Sequence, residues 1–184
     1  MKKGLLIVVL IVALCAWVAV STYNSLVTAQ EKVSSSYADI DTQLQRRADL
    51  IPNLVNTVKG YMEHEQGIID SITESRDRLL NAGSVQDRAD ANEALTTALG
   101  QFFVIAENYP DLKANENFIA LQDELAGTEN RIATARKDYD QAVSEYNAMI
   151  RRFPAVLFVQ KDGFEKAEYF EAAKGSDVVP EVNF

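Results

Sequence analysis

Stepping from Leu26 alternately by four and three residues, the chain reads Leu26, Gln30, Val33, Tyr37, Ile40, Leu44, Arg47, Ile51, Leu54, Val58, Tyr61, Glu65, Ile68 and Ile72. Eleven of these fourteen positions are apolar or tyrosine, and the phase does not slip. Such a heptad seam marks a helix packed nearly parallel or antiparallel to others. It predicts one long first helix running to about Leu80, where Asn81-Ala82-Gly83 stops it. Pro52 falls inside this helix. A proline in a helix interior costs ~3 kcal/mol and deprives the carbonyl four residues back, that of Ala48, of its partner. Because the phase survives Pro52, the pattern predicts a kink there and three long helices in all. A split at Pro52 would make four.

Ser84, followed three residues later by Asp87, resembles a capping box and starts a second helix over 85–107. That helix is expected to bury Ala91, Leu95, Leu99, Phe102 and Ala106. Asn108-Tyr109-Pro110-Asp111 reads as a turn. The third helix begins near Asn115 and carries Phe118, Leu121, Leu125, Thr128, Ile132, Ala135, Tyr139, Ala142, Tyr146, Met149 and Phe153 at steps of three and four, with Pro154 ending it. Gly127 within it costs about 1 kcal/mol relative to alanine, which points to a close helix approach. The tail holds AVLFV, Phe164, Tyr169, Phe170, VVP and Phe184. It is too apolar for disorder and is expected to lie extended against the bundle or a partner. The predicted fold class is all-α: an N-terminal transmembrane helix, then an elongated up-and-down antiparallel helical bundle. Three regions follow: an anchor over 1–22, the bundle over 23–153 and the apolar tail over 154–184.

The anchor rests on residues 4–20, GLLIVVLIVALCAWVAV, which follow Lys2 and Lys3; no charge returns until Glu31. With uncharged Ser21–Tyr23 behind it, this run is just long enough to cross the hydrocarbon layer as a helix. A cleaved signal peptide is the alternative, with Ala19-Val20-Ser21 as a weak cleavage site. A lipoprotein signal is disfavoured because Leu14 before Cys15 is too bulky. Lys2, Lys3 and the amino terminus precede the run, and Lys32 is the first basic residue after it. By the positive-inside rule the amino terminus is cytoplasmic and the bulk of the chain extracytoplasmic.

Beyond the two leading lysines there are 16 basic and 27 acidic residues. Such an acidic domain repels phosphate backbones, so nucleic acid is not an expected partner. Cys15, the only cysteine, permits no intrachain disulfide. His64 is the only histidine, so neither a zinc-protease helix nor a di-iron bundle can be assembled from this chain's histidines. No phosphate-binding glycine loop and no histidine-based nucleophile pair is present. The carboxylate pairs Asp39 and Asp41, and Glu63 and Glu65, read as solvated faces. No catalytic, metal or cofactor site is therefore expected, and the chain reads as a non-enzyme. Arg46 and Arg47 are the unusual residues. Arg47 lies on the seam, where its head must reach water, pair with a carboxylate or meet a partner chain. A candidate interaction patch is Arg46, Arg47, Asp49, Pro52 and Asn53. The membrane-proximal seam Leu26, Gln30, Val33 and Tyr37 is expected to face water and to serve as a homo-oligomer contact, Gln30 limiting the register.

Several stretches resemble the LemA family of bacterial membrane-anchored helical proteins. They are YNSLVTAQEKV, DIDTQLQRRADLIPNLVNTVKGYMEHE, ENYPDLKANENFIALQDELAGTENRIATARKDYDQAVSEYN and a closing GF…YFE…P-V-F run. Asp140 departs from the asparagine that is more usual in the family. The resemblance implies a helical bundle, a bacterial inner or cytoplasmic membrane location and no known catalytic activity. Family members are often encoded near a membrane-embedded protease and one relative acts in membrane shaping, so the resemblance also suggests an adaptor or membrane-organising role. The expected function is a membrane-anchored scaffold that self-associates and organises envelope or membrane proteins. The alternative is an adaptor or regulator of a membrane protease or sensor kinase.

Overall fold

The computed structural model describes residues 2–171, which form helices and connecting turns with no strand. The helices are α1 (Lys2–Val58), α2 (Gln66–Asn81), α3 (Val85–Ala106), α4 (Pro110–Lys113), α5 (Glu116–Met149) and α6 (Val156–Asp162). They divide into two compact units. One joins the chain up to Tyr37 with Asp138–Ala167, and the other joins Ala38–Lys137 with the chain from Glu168. The VVP run and Phe184 of the expected tail lie outside the described residues.

In the unit built on Ala38–Lys137, the seam of α1 is buried as its period requires: Ile40, Leu44, Arg47, Ile51, Leu54 and Val58. Pro52 sits inside α1 without ending it. The carbonyl it deprives finds a partner from another helix, because Arg76 Nε of α2 donates to the Ala48 oxygen at 2.9 Å. Ala48 itself is fully buried, so an unmet carbonyl there would cost about 1–3 kcal/mol.

The first helix does not reach Leu80. It stops at Val58, and residues 59–65 form a turn. Gly60 lowers the helical propensity at the break. Tyr109 Oη donates to Glu65 Oε1 at 3.0 Å and Asn115 Nδ2 donates to Tyr61 Oη at 3.1 Å, which tie the turn to the segment before α5. The Glu65 hydrogen bond, and then burial, push the Tyr109 hydroxyl above its ordinary pKa. Tyr61, expected on the buried seam, is exposed, and Met62 takes the core position. After the turn α2 buries Ile69, Ile72, Ser75 and Leu79, so Ile68 moves off the expected face.

Ser84 Oγ accepts from the Asp87 amide at 3.0 Å, the expected cap of α3, and α3 buries the five residues its period named. Its Phe102 and Phe103 meet Phe118 of α5 at 6.2 and 6.3 Å between ring centroids. The turn at Pro110 closes into the single-turn α4, with Leu112 buried. Asn115 Oδ1 then accepts from the Phe118 amide at 3.1 Å and caps α5. No neighbouring helix approaches Gly127; the atoms nearest to an added Cβ belong to Arg131 of its own helix. The expected close approach is not there. Arg136 donates to the Phe170 carbonyl at 2.8 Å with its guanidinium over the Phe170 ring, which fixes the end of the described chain.

In the other unit, Leu26, Tyr146, Ile150, Ala155 and Phe164 form a buried cluster, with Val33, Met149, Phe158 and Ala167 packed against it. The tail is not wholly extended, since α6 forms first. Gly163 ends α6 in the left-handed conformation, φ 75°, which glycine adopts without strain. The extended stretch after it is clamped by Asn147, whose Nδ2 donates to the Ala167 carbonyl and whose Oδ1 accepts from the Ala167 amide, both at 2.9 Å. Because α5 ends at Met149, Phe153 leaves the helical face and is 79% exposed, not buried as its spacing suggested.

Candidate functional site

The expected patch divides by depth. Arg46 is exposed and pairs with Glu124 at 2.9 Å. Asp49 is exposed and accepts from Gln45 at 2.9 Å. Pro52 and Asn53 are exposed on the same helix. Arg47 is 3% exposed. Its Nη1 lies 2.6 Å from Glu129 Oε2 and donates to Asn92 Oδ1 at 2.7 Å and Thr96 Oγ1 at 3.0 Å. Burial lowers the Arg47 pKa, and Glu129 and then Glu93 act against that fall. The Arg47 head therefore neither reaches water nor offers itself to a second chain. It joins α1, α3 and α5 inside one unit, which corrects its place in an interaction patch.

The membrane-proximal seam divides in the same way. Leu26, expected to face water, is completely buried under Tyr146, Ile150, Ala155 and Phe164. Val33 is half-buried against the same cluster. Tyr37 is half-buried with its ring 5.6 Å from that of Tyr139. Only Gln30 of the four is exposed. The chain's own α5, α6 and the stretch through Ala167 cover the stripe that the seam pattern left open.

Sequence reasoning named Arg47 and Pro52 but missed their partners Asn92, Thr96, Glu129 and Arg76. Asn92 is a polar residue beside the buried Ala91, and Glu129 follows the buried Thr128. That adjacency was the available signal. Pairing across helices leaves no trace in spacing along one helix.

At the other end of α1, the apolar stretch is uncovered. Leu5, Leu6, Leu10, Val12, Leu14 and Val20 are each 60–69% exposed. The helix is long and apolar enough there to cross a membrane. Its Tyr23 meets Phe158 and Phe164 edge-on at 6.2 and 5.7 Å.

The LemA family profile matches residues 36–184. Over a 200-residue alignment the chain is 26% identical to magnetosome protein MamQ 2 of Paramagnetospirillum magneticum, covering 94% of this chain and 74% of that one. It is 24% identical over 181 residues to magnetosome protein MamQ of Magnetospirillum gryphiswaldense, covering 84% and 66%. Protein LemA of Metamycoplasma hominis is 22% identical over 171 residues, covering 92% and 78%. With the profile matched from residue 36 to the last residue, over the buried seam, the Arg47 centre and the capped α3 alike, the chain belongs to the LemA family.

Proposed function

We propose that the chain is a non-enzymatic, membrane-anchored helical scaffold that self-associates in the plane of the bilayer and organises envelope or membrane proteins. The observation that carries this is the contrast along α1 within one unit. Residues 5–20 are uncovered and apolar, while Leu26 a few residues on is fully buried by the chain itself. The described chain leaves most of the first stretch uncovered, shielding only part of it around Val18 and Ala19, and a bilayer covers the rest at no cost in exposed apolar surface. The magnetosome names of its relatives fit a protein working at a membrane. The membrane we assign is the bacterial inner or cytoplasmic one, crossed once, with the amino terminus cytoplasmic and the rest outside. Confinement there raises the effective concentration of identical chains, so weak contacts between them count. With Leu26 covered, exposed Gln30 is the seam residue left for such a contact.

A photo-cross-linking amino acid at Gln30, and separately at Asn53, tests this in intact membranes. The scaffold reading expects adducts of the chain with itself at Gln30. Adducts only with a membrane protease or sensor kinase, strongest at Asn53, would instead establish an adaptor using the exposed Arg46, Asp49, Pro52 and Asn53.

A further inference from the structure

Where α5 ends, the chain turns back toward the apolar part of α1. Phe153, Pro154, Leu157 and Phe158 form a groove of about 390 Å³ with Leu14, Cys15, Val18 and Ala19. The walls contributed by α1 belong to the run over residues 4–20 read as the membrane span. Leu14 lies six residues before Val20, about 9 Å further along the helix axis at 1.5 Å per residue. Whatever packs beside Leu14 and Val18 is carried to the same depth. Interfacial helices bury their apolar side about 5–10 Å into the headgroup and acyl boundary, and the corner falls within that range.

The corner has the composition for it. Phe153 is 79% exposed, Leu157 62% and Val156 44%, although each is large and apolar. Arg151 and Arg152, both exposed, immediately precede Phe153. Arginine places its charged head at phosphate level while its stem runs along apolar surface. Tyr23, edge-on to Phe158 and Phe164, adds the aromatic group typical of the membrane–water boundary.

We propose that Phe153–Phe158 is a second membrane-insertion element. Bilayer acyl chains fill the groove against Leu14–Ala19, and Arg151 and Arg152 contact lipid phosphates. This rests on the reading of residues 4–20 as a span. It gives the unit two points of attachment, which fix both the depth and the rotation of α1 in the bilayer.

The test uses the full chain in phosphatidylglycerol-containing liposomes, in a Cys15→Ala background. An environment-sensitive fluorophore is attached in turn to Leu10→Cys, Thr42→Cys, Phe153→Cys and Leu157→Cys. Probes at 153 and 157 are expected to match the probe at 10: blue-shifted, protected from iodide and quenched by nitroxide on the lipid acyl chain. The probe at 42, an exposed position outside both proposed contacts, is expected to be quenched by iodide. Iodide quenching at 153 and 157, with 10 still in lipid, would overturn the proposal and leave the anchor standing. Protection from both quenchers would also overturn it, because protein and not lipid would then cover the corner. Iodide access at 10 would remove the span and the proposal together.

Discussion

Replacing Arg76 by methionine should destabilise the protein, and should do so far less once Pro52 is alanine. In the native chain the buried Ala48 carbonyl has lost its helical donor to Pro52 and accepts from Arg76 Nε at 2.9 Å. A hydrogen bond to a charged group contributes about 1.5–3 kcal/mol, and an unmet buried carbonyl costs about 1–3. Arg76→Met keeps most of the stem and removes the donor, so the expected loss is about 1.5–3 kcal/mol. At roughly 2–4 °C per kcal/mol for a chain of this size, Tm should fall by about 3–12 °C. Pro52→Ala alone returns a backbone N–H to that carbonyl and relieves part of the ~3 kcal/mol proline penalty, so Tm should rise. A carbonyl has two lone pairs, so in the Pro52→Ala background Arg76→Met removes one partner of two. Its cost should shrink to about 0.5–1.5 kcal/mol. The cycle should therefore show a coupling of about 1 kcal/mol or more, read from thermal and urea unfolding of the full chain in detergent by circular dichroism. Additivity within about 0.5 kcal/mol, the figure for independent sites, would refute the idea that Arg76 replaces the donor lost at Pro52.

Adjacent arginines should differ sharply. Arg47→Ala leaves the buried Asn92 and the part-exposed Glu129 without their shared cation and should cost about 1–3 kcal/mol, whereas Arg46→Ala, on the exposed Glu124 pair, should cost at most about 1; similar losses in unfolding experiments would contradict the buried centre. Tyr146→Phe removes a buried hydroxyl that has no hydrogen-bond partner among the described residues, and should raise stability by about 1 kcal/mol; a fall in Tm would show that the hydroxyl is bonded. Hydrogen bonds from Lys32 and then Gln141 hold the Glu145 carboxyl below its ordinary value. A depressed carboxyl contributes its stability above the unfolded pKa, about 4.3, and loses it as pH falls through the lower folded value. Glu145→Gln should therefore lower the neutral Tm slightly and reduce the loss of Tm on acidification by the same small amount, and an unchanged acid profile would argue against the Lys32 contact.

Much of the fold was legible because helix faces are periodic. Ala91, Leu95, Leu99, Phe102 and Ala106 were named from spacing and are all buried, and the Ser84 cap followed from a local hydroxyl-to-amide geometry. The break after Val58 was not legible, for a specific reason. The connection over 59–65 is seven residues long, one heptad, so steps of three and four pass across it with almost no visible slip. The unbroken phase reflects a helix continuous through Pro52 and conceals a turn one heptad further on. The shifts from Tyr61 to Met62 and from Ile68 to Ile69 betray it. The covering of Leu26 was hidden for another reason: short α6 and the clamped stretch through Ala167 carry no period to read. Arg47 was recognisable as a charge that needed a partner, but which carboxylate supplies it depends on how three helices meet.

On the proposed function, the chain is held in lipid by its first helix and meets copies of itself there. Native mass spectrometry of the full chain, taken from its own membrane in lipid-containing discs without detergent, addresses that directly. Lipid-bound species are expected at integer multiples, two or more, of the 20.4 kDa chain. A lone 20.4 kDa species in lipid, or a chain recovered without lipid at all, would contradict it.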